Sequence, residues 1–145
     1  RNKCIEVIYL NYITIDGSNW LKFKLMKRRL AVPRLHNVLG PAIMVALWSD
    51  YKKINLFGVD HSWLPLINVD HNNRVFVGHP HFYEEDDKQR KQMGTSKRYR
   101  KLHEVLDKFL LTFKGYFDID EYAKKQGAGI YNFTKESFID AFEKK

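Results

Sequence analysis

A chain of 145 residues that is 44% apolar, 29% charged and 14% aromatic carries enough apolar surface to offset ordering entropy, which excludes disordered, collagen-like and low-complexity classes and fits one domain over residues 1–145. Its single cysteine, Cys4, excludes an intrachain disulfide framework and any zinc site built on two cysteines of this chain, and fits a reducing cytoplasm. The net charge of +8 is uneven: residues 1–53 hold ten basic and three acidic side chains and residues 54–145 hold fifteen and fourteen, so a positive surface in the first third attracts nucleic acid, nucleotide phosphates or anionic lipid head groups alike.

The chain begins at Arg1 with neither Met, apolar signal core nor cleavage site, which reads as a piece cut from a longer protein. Cys4 to Ile15 is rich in Ile, Val and Tyr and ends at Asp16-Gly17-Ser18, a strand running into a turn. Trp20, Phe23, Met26 and Leu30 then recur every three or four residues between Lys22, Lys24, Lys27, Arg28 and Arg29, predicting an amphipathic helix with a basic polar face that stops near Pro33. Asn37 precedes the apolar run Val38 to Trp48, read as an internal helix with Gly40 and Pro41 in its first turn. Its ten residues Leu39 to Trp48 are about half of what a bilayer-spanning helix needs.

Ile54 to Asp60 (INLFGVD) has no charge before its last residue, the pattern of a strand covered on both faces of a parallel sheet. Leu64 to Val69 and Arg74 to Val77 flank Asp70-His71-Asn72-Asn73, a hairpin with turn formers at its tip. His79 to Ser96 is polar, with Glu84-Glu85-Asp86-Asp87 before Lys88, Arg90 and Lys91, and reads as a mobile lid. Tyr99, Leu102, Leu106, Phe109, Phe113 and Tyr116 mark a long amphipathic helix from Lys97 to about Lys114, weakened at Gly115; Asp118 and Glu121 open a second helix closing at Gly127. GIYN, Gly129 to Asn132, is a further strand, and Thr134 caps a last helix that buries Phe138, Ile139, Ala141 and Phe142.

Ligands of open parallel α/β sheets bind beyond the carboxyl ends of the strands, which singles out Gly58, Asp60, His61, Ser62 and Asn132 as substrate-binding candidates. The turn from Asn37 through Gly40 to Pro41 offers a helix N-terminus to a phosphate, without a GxGxxG or GxxxxGK pattern. Arg34 is placed to offset charge on a leaving phosphate. Of six histidines, His61, His79, His81 and His103 surround the lid; one of near-neutral pKa suits removal of an acceptor hydroxyl's proton. His79-Pro80-His81 has a spacing compatible with metal, yet no acidic residue completes three ligands, so neither metal nor other cofactor is expected. No GxSxG elbow is present and Cys4 lies in a predicted strand, which disfavours covalent catalysis. Lys97-Arg98-Tyr99-Arg100-Lys101 interleaves aromatic and cation as single-strand binders do, but Tyr99 opens the apolar stripe, so packing with a solvated basic face is the preferred reading.

Asp50-Tyr51-Lys52-Lys53-Ile54 leading to Gly58-Val59-Asp60, followed later by Ile130-Tyr131-Asn132 and a Ser-containing segment, resembles the carboxyl-terminal part of bacterial lipooligosaccharide sialyltransferases and the related domain of capsule, flagellar-glycosylation and pterin-pyrophosphokinase-like proteins. The resemblance covers about residues 34 to 142; the family's amino-terminal G-N-G-P-S-like strand and turn has no counterpart in the chain. It implies a Rossmann-like layered sheet with helices on both faces and a polar lid after the central strand. It also implies a nucleotide-activated sugar donor, a glycan acceptor and metal-independent, inverting transfer in surface polysaccharide synthesis, in the cytoplasm or peripherally at the inner face of the membrane. His81 and His103 are then the candidates for the base, and Tyr83 for supporting the leaving phosphate. Two other classes stay open: a non-catalytic basic module for nucleic acid or an anionic membrane, nucleic acid being the less favoured, and a pyrophosphokinase-like transferase using magnesium through Asp60.

Overall fold

The computed structural model describes residue 9 and residues 12–77, 91–92, 94–95 and 98–145, with backbone alone at 77, 91–92, 94–95 and 98–99. In chain order the elements are β1 (Thr14–Ile15), α1 (Asn19–Lys27), β2 (Val32–Pro33), α2 (Leu39–Trp48), β3 (Lys53–Leu56), a short 3-10 turn (Leu64–Leu66), β4 (Ile67–Val69), β5 (Val75–Val77), β6 (Lys91–Gln92), β7 (Gly94–Thr95), β8 (Arg98–Tyr99), α3 (Leu102–Lys125), β9 (Gly129–Asn132) and β10 (Glu143–Lys144). The described residues form a mixed α/β fold of three helices and small sheets. β1 and β2 pair in parallel across α1, while β10, β9 and β3 form an all-parallel sheet in that order, Leu56 facing Asn132. The predicted hairpin is present as β4 and β5, its tip held by the Asp70 carboxylate, which accepts the N–H groups of Asn72 and Arg74 at 2.9 and 2.8 Å. β6 adds to β5 and β7 pairs with β8, so residues 91–92 and 94–95 are strand rather than lid. The rest of the predicted lid, with His79, His81 and Tyr83, lies outside the described residues, as does most of the predicted first strand, of which Thr14–Ile15 is described as β1.

α1 ends earlier than the apolar spacing suggests. Arg29 takes a left-handed φ of 58° and gives its guanidinium to the Trp48 carbonyl at the end of α2, at 2.5 Å, where a cation meets the negative end of a helix dipole. Two residues reverse the expected faces: Trp20 is 70% exposed, whereas Lys22 is buried and reaches the Asp118 carboxylate of α3 at 2.5 Å. α2 forms where predicted. The Asn37 Oδ1 accepts the N–H groups of Leu39 and Gly40 at 3.0 and 3.4 Å, satisfying two donors that the first turn leaves open. Gly40, Pro41, Ile43, Met44 and Leu47 face inward.

α3 is one 24-residue helix from Leu102 to Lys125, not two helices separated at Gly115. Gly115 is buried mid-helix because a Cβ there would lie 2.8 Å from Leu35 Cγ, and one on Gly40 would lie 2.6 Å from Leu35 Cδ1. The glycines thus admit a leucine between α2 and α3, and the core of Met26, Val32, Leu35, Met44, Tyr116, Ile119, Ile130, Ile139 and Phe142 builds around it. Leu102, Leu106, Leu110 and Phe117 remain exposed, so the predicted stripe is only partly the buried one. α3 closes at Gly127, as the sequence suggests, with a left-handed φ of +66°.

Residues 134–142 do not form the expected helix. The Thr134 hydroxyl accepts the N–H of Val59 at 3.0 Å instead of a first-turn N–H, and Glu136 is left-handed at φ 60°. Ile139 and Phe142 are nonetheless buried, while Phe138 is exposed. Nor is the strand at Ile54 covered on both faces: Lys53, Asn55 and Phe57 are exposed, leaving one face of the three-stranded sheet open. Among the described residues no helix is long and apolar enough to cross a membrane.

Candidate functional site

Beyond β3 the chain turns sharply through Gly58, whose φ of +68° favours glycine, into the loop Val59 to Trp63. That loop is tied down by the segment after β9. Besides the Thr134 bond, the Ser137 hydroxyl donates to the Val59 carbonyl at 2.6 Å and the Phe138 N–H to the Asp60 carbonyl at 2.7 Å. Asp60 stays exposed; its Oδ1 accepts the His61 N–H at 2.8 Å and its Oδ2 the Ser62 hydroxyl at 3.1 Å. His61 itself is left-handed at φ 54°, a region in which histidine is enriched among non-glycine residues.

The His61 ring is buried against Trp63, with ring centroids 4.2 Å apart, and against Phe113 and Tyr116. Its Nε2 lies 2.5 Å from the Tyr116 hydroxyl. Burial lowers the pKa of His61, with the Asp60 charge opposing, and burial pushes the Tyr116 phenol far above its ordinary value. Both groups are therefore neutral at pH 7, and one hydrogen bridges them. The Asn37 side chain lies beside the Tyr116 hydroxyl and counters that rise, its buried Nδ2 falling short of a full hydrogen bond among the described residues. Asn132, 1% exposed at the end of β9, shows the same condition: Oδ1 accepts the Thr134 N–H at 2.9 Å and Nδ2 has no partner. A buried amide donor left unmade costs about 1–3 kcal/mol, and both Nδ2 atoms are closed to solvent.

A cationic group adjoins Asn37. His36 accompanies it along α3, its N–H on the Thr112 hydroxyl at 3.3 Å. Burial and the charges of Lys108, Arg34 and Arg100 hold the His36 pKa down, and Lys108 is lowered by burial with Arg100 and Arg34 adding. The Asp107 carboxylate opposes the shift at His36 and Glu104 that at Lys108, so the group is a mixed cluster in which cations predominate.

The structure thus brings Asp60, His61 and Ser62 into one loop at the end of β3, with Gly58 as its pivot, and sets Asn132 opposite at the end of β9. Asn37 touches this group through Tyr116. Gly40 is accounted for by packing against Leu35, and Arg34 is exposed beside His36. His103 is exposed on the first turn of α3, and at 1.5 Å per residue it stands about 20 Å along the axis from Tyr116, so the structure does not bring it to Asp60 and His61. His81 and Tyr83 lie outside the described residues. Sequence reasoning missed Tyr116, which reads as one more aromatic of an apolar stripe, Arg100, which reads as part of a solvated basic face, and Lys108. The signal for Tyr116 was the hydroxyl itself, since a buried tyrosine needs a partner. Among the described residues no three His, Cys, Asp or Glu side chains gather as a metal-ligand group. No family model, curated protein or solved structure matches this chain.

Proposed function

We propose that this chain is a glycosyltransferase-like domain that binds a nucleotide-activated sugar at the carboxyl ends of β3 and β9. The observation that carries the reading is the neighbourhood of Asn37: its side chain lies beside the neutral Tyr116–His61 pair next to Asp60, and the residue before it, His36, feels the charges of Arg34, Arg100 and Lys108. A sugar nucleotide needs both, polar groups for hydroxyls and positive charge for phosphates. In this reading β3, α3 and β9 are one crossover unit of a Rossmann-like sheet, and the Arg34 guanidinium offsets charge on the leaving phosphate.

Transfer proceeds by direct displacement at the anomeric carbon, with inversion and without a metal. An acceptor hydroxyl of a glycan gives its proton to a histidine as the new bond forms. His81 is the preferred base, because His103 stands too far along α3 to share a reacting atom with Asp60. The setting is surface polysaccharide synthesis on the cytoplasmic side of a membrane. A purely basic binding module is less well supported, since Lys22 and Arg29 of the basic first third are committed to Asp118 and Trp48. Isothermal titration with cytidine and uridine nucleotides, a short duplex DNA and added magnesium tests the reading. Saturable, magnesium-independent binding of one nucleotide is expected. Silence toward nucleotides with salt-steep DNA binding overturns it for the basic module, and an absolute need for magnesium overturns it for pyrophosphoryl transfer.

A further inference from the structure

Two phenylalanines stand where the strands of the open sheet end. Phe57 follows β3 directly and Phe133 follows β9, and the Phe133 N–H donates to the Leu56 carbonyl at 2.9 Å, carrying the strand register one step past the sheet. Their rings stack, with centroids 5.1 Å apart and planes 20° from parallel. Neither ring is covered by the core: Phe57 is 69% exposed and Phe133 40%. They share the open face of the sheet with Asn55 and Tyr131, opposite to the buried Leu56 and Asn132.

The chain then binds itself to a short reach. Asp60 is three residues beyond Phe57, no more than about 11 Å even at full extension, and its carboxylate is exposed. An aromatic plane with a carboxylate within that reach is the complement of a nucleoside: a flat π-face to stack and a vicinal diol whose two hydroxyls donate to carboxylate oxygens. The strand-end position is also where ligands of parallel sheets lie. We infer that Phe57 and Phe133 form the stacking platform for the base of a nucleotide and that Asp60 receives its ribose hydroxyls. The inference rests on the nucleotide-sugar reading above and assigns its base and ribose subsites. A stacked base covers the outer ring face, so the platform accepts either pyrimidine, and the discrimination lies in the ribose.

The test is titration of the chain with cytidine and uridine monophosphates, 2′-deoxycytidine monophosphate and ribose 5-phosphate, repeated for Phe57→Ala, Phe133→Ala, Phe57→Leu and Asp60→Asn. Each exposed Phe variant keeps its fold, checked by circular dichroism and by sedimentation. Expected are a loss of about tenfold or more in affinity for the ribonucleotide in either Ala variant, a partial loss in Phe57→Leu, weak binding of ribose 5-phosphate, and loss of preference for ribose over deoxyribose in Asp60→Asn. Nucleotide binding by the parent chain that the Phe variants leave unchanged overturns the platform while the nucleotide-sugar reading stands. No nucleotide binding by the parent chain overturns both. A dimer that the Phe variants dissociate overturns the platform in favour of an interface between copies, and tighter, salt-steep binding of a single-stranded oligonucleotide overturns it in favour of nucleic acid.

Discussion

The His61 Nε2 and the Tyr116 hydroxyl meet at 2.5 Å in the interior although 55 residues separate them in the chain. The bond joins the loop after β3 to the middle of α3 and holds the imidazole in its left-handed backbone setting. Tyr116→Phe keeps the ring and removes the oxygen, leaving Nε2 without a partner in a buried site. A stability loss of about 1–3 kcal/mol is expected in urea denaturation. Nucleotide affinity should fall with it, because the loop that carries Asp60 loosens. A loss no larger than that of an exposed control such as Phe117→Leu would show that the bond does not fix the loop.

Stability should also depend on pH near neutrality. His61 takes up a proton near its ordinary 6.5 when unfolded and only at lower pH when folded, since burial opposes its charge; His36 shifts in the same direction. The unfolded chain therefore binds more protons below that value, and stability is fully present above it, falls as pH drops below about 6.5 and levels off below the lowered values. Urea midpoints measured between about pH 8 and pH 5 should show this decline. His61→Asn, which tolerates the positive φ, should reduce it, leaving the part due to His36. A parent profile without slope in that interval contradicts the burial of a neutral imidazole.

Leu35 between two glycines makes a sharp packing prediction. Elsewhere, alanine for a mid-helix glycine gains up to about 1 kcal/mol of helix propensity. At Gly115 the new methyl would press on Leu35 at 2.8 Å, and overpacking of that kind costs about 1–3 kcal/mol. Gly115→Ala should thus be net destabilising, and its cost should shrink in a Leu35→Ala background, where Leu35→Ala alone costs about 2–5 kcal/mol. Additive losses would show that the two sites do not compete for one space.

The Lys22–Asp118 pair ties α1 to α3, with side chains 7% and 20% exposed. Asp118→Asn leaves an ammonium buried without its counter-charge and should cost about 3 kcal/mol, the low end for buried pairs because Asp118 reaches solvent. Lys22→Met with Asp118→Leu should recover most of that stability. If Asp118→Asn melts with the parent, Lys22 is solvated and the pair is an ordinary surface one.

What the sequence makes legible here is what is decided locally. α2 follows from an unbroken apolar run, the β4–β5 hairpin from Asp70 and its neighbours, and the end of α3 from Gly127. The failures share one cause, a side chain whose role is set by a distant partner. Gly115 looks like a helix end until Leu35 is placed against it, and Thr134 looks like a helix cap until its hydroxyl is taken by Val59. Lys22 looks solvated until Asp118 arrives from 96 residues away. The candidate site divides in the same way. Asp60, His61, Ser62 and Asn132 are marked by their position after apolar strands, whereas Tyr116, Arg100 and Lys108 gain their relation to it only when α3 packs along residues 34–37.

The central claim is that a nucleotide binds at the carboxyl ends of β3 and β9, and the most direct test is mapping of amide chemical shifts in a 15N-labelled chain titrated with cytidine and uridine monophosphates. The account predicts saturable shifts confined to residues 36–40, 57–63 and 132–138, with little change along β4 and β5 or the exposed face of α1. Shifts concentrated on Lys24, Lys27 and Arg28, or none at saturating nucleotide, would contradict it.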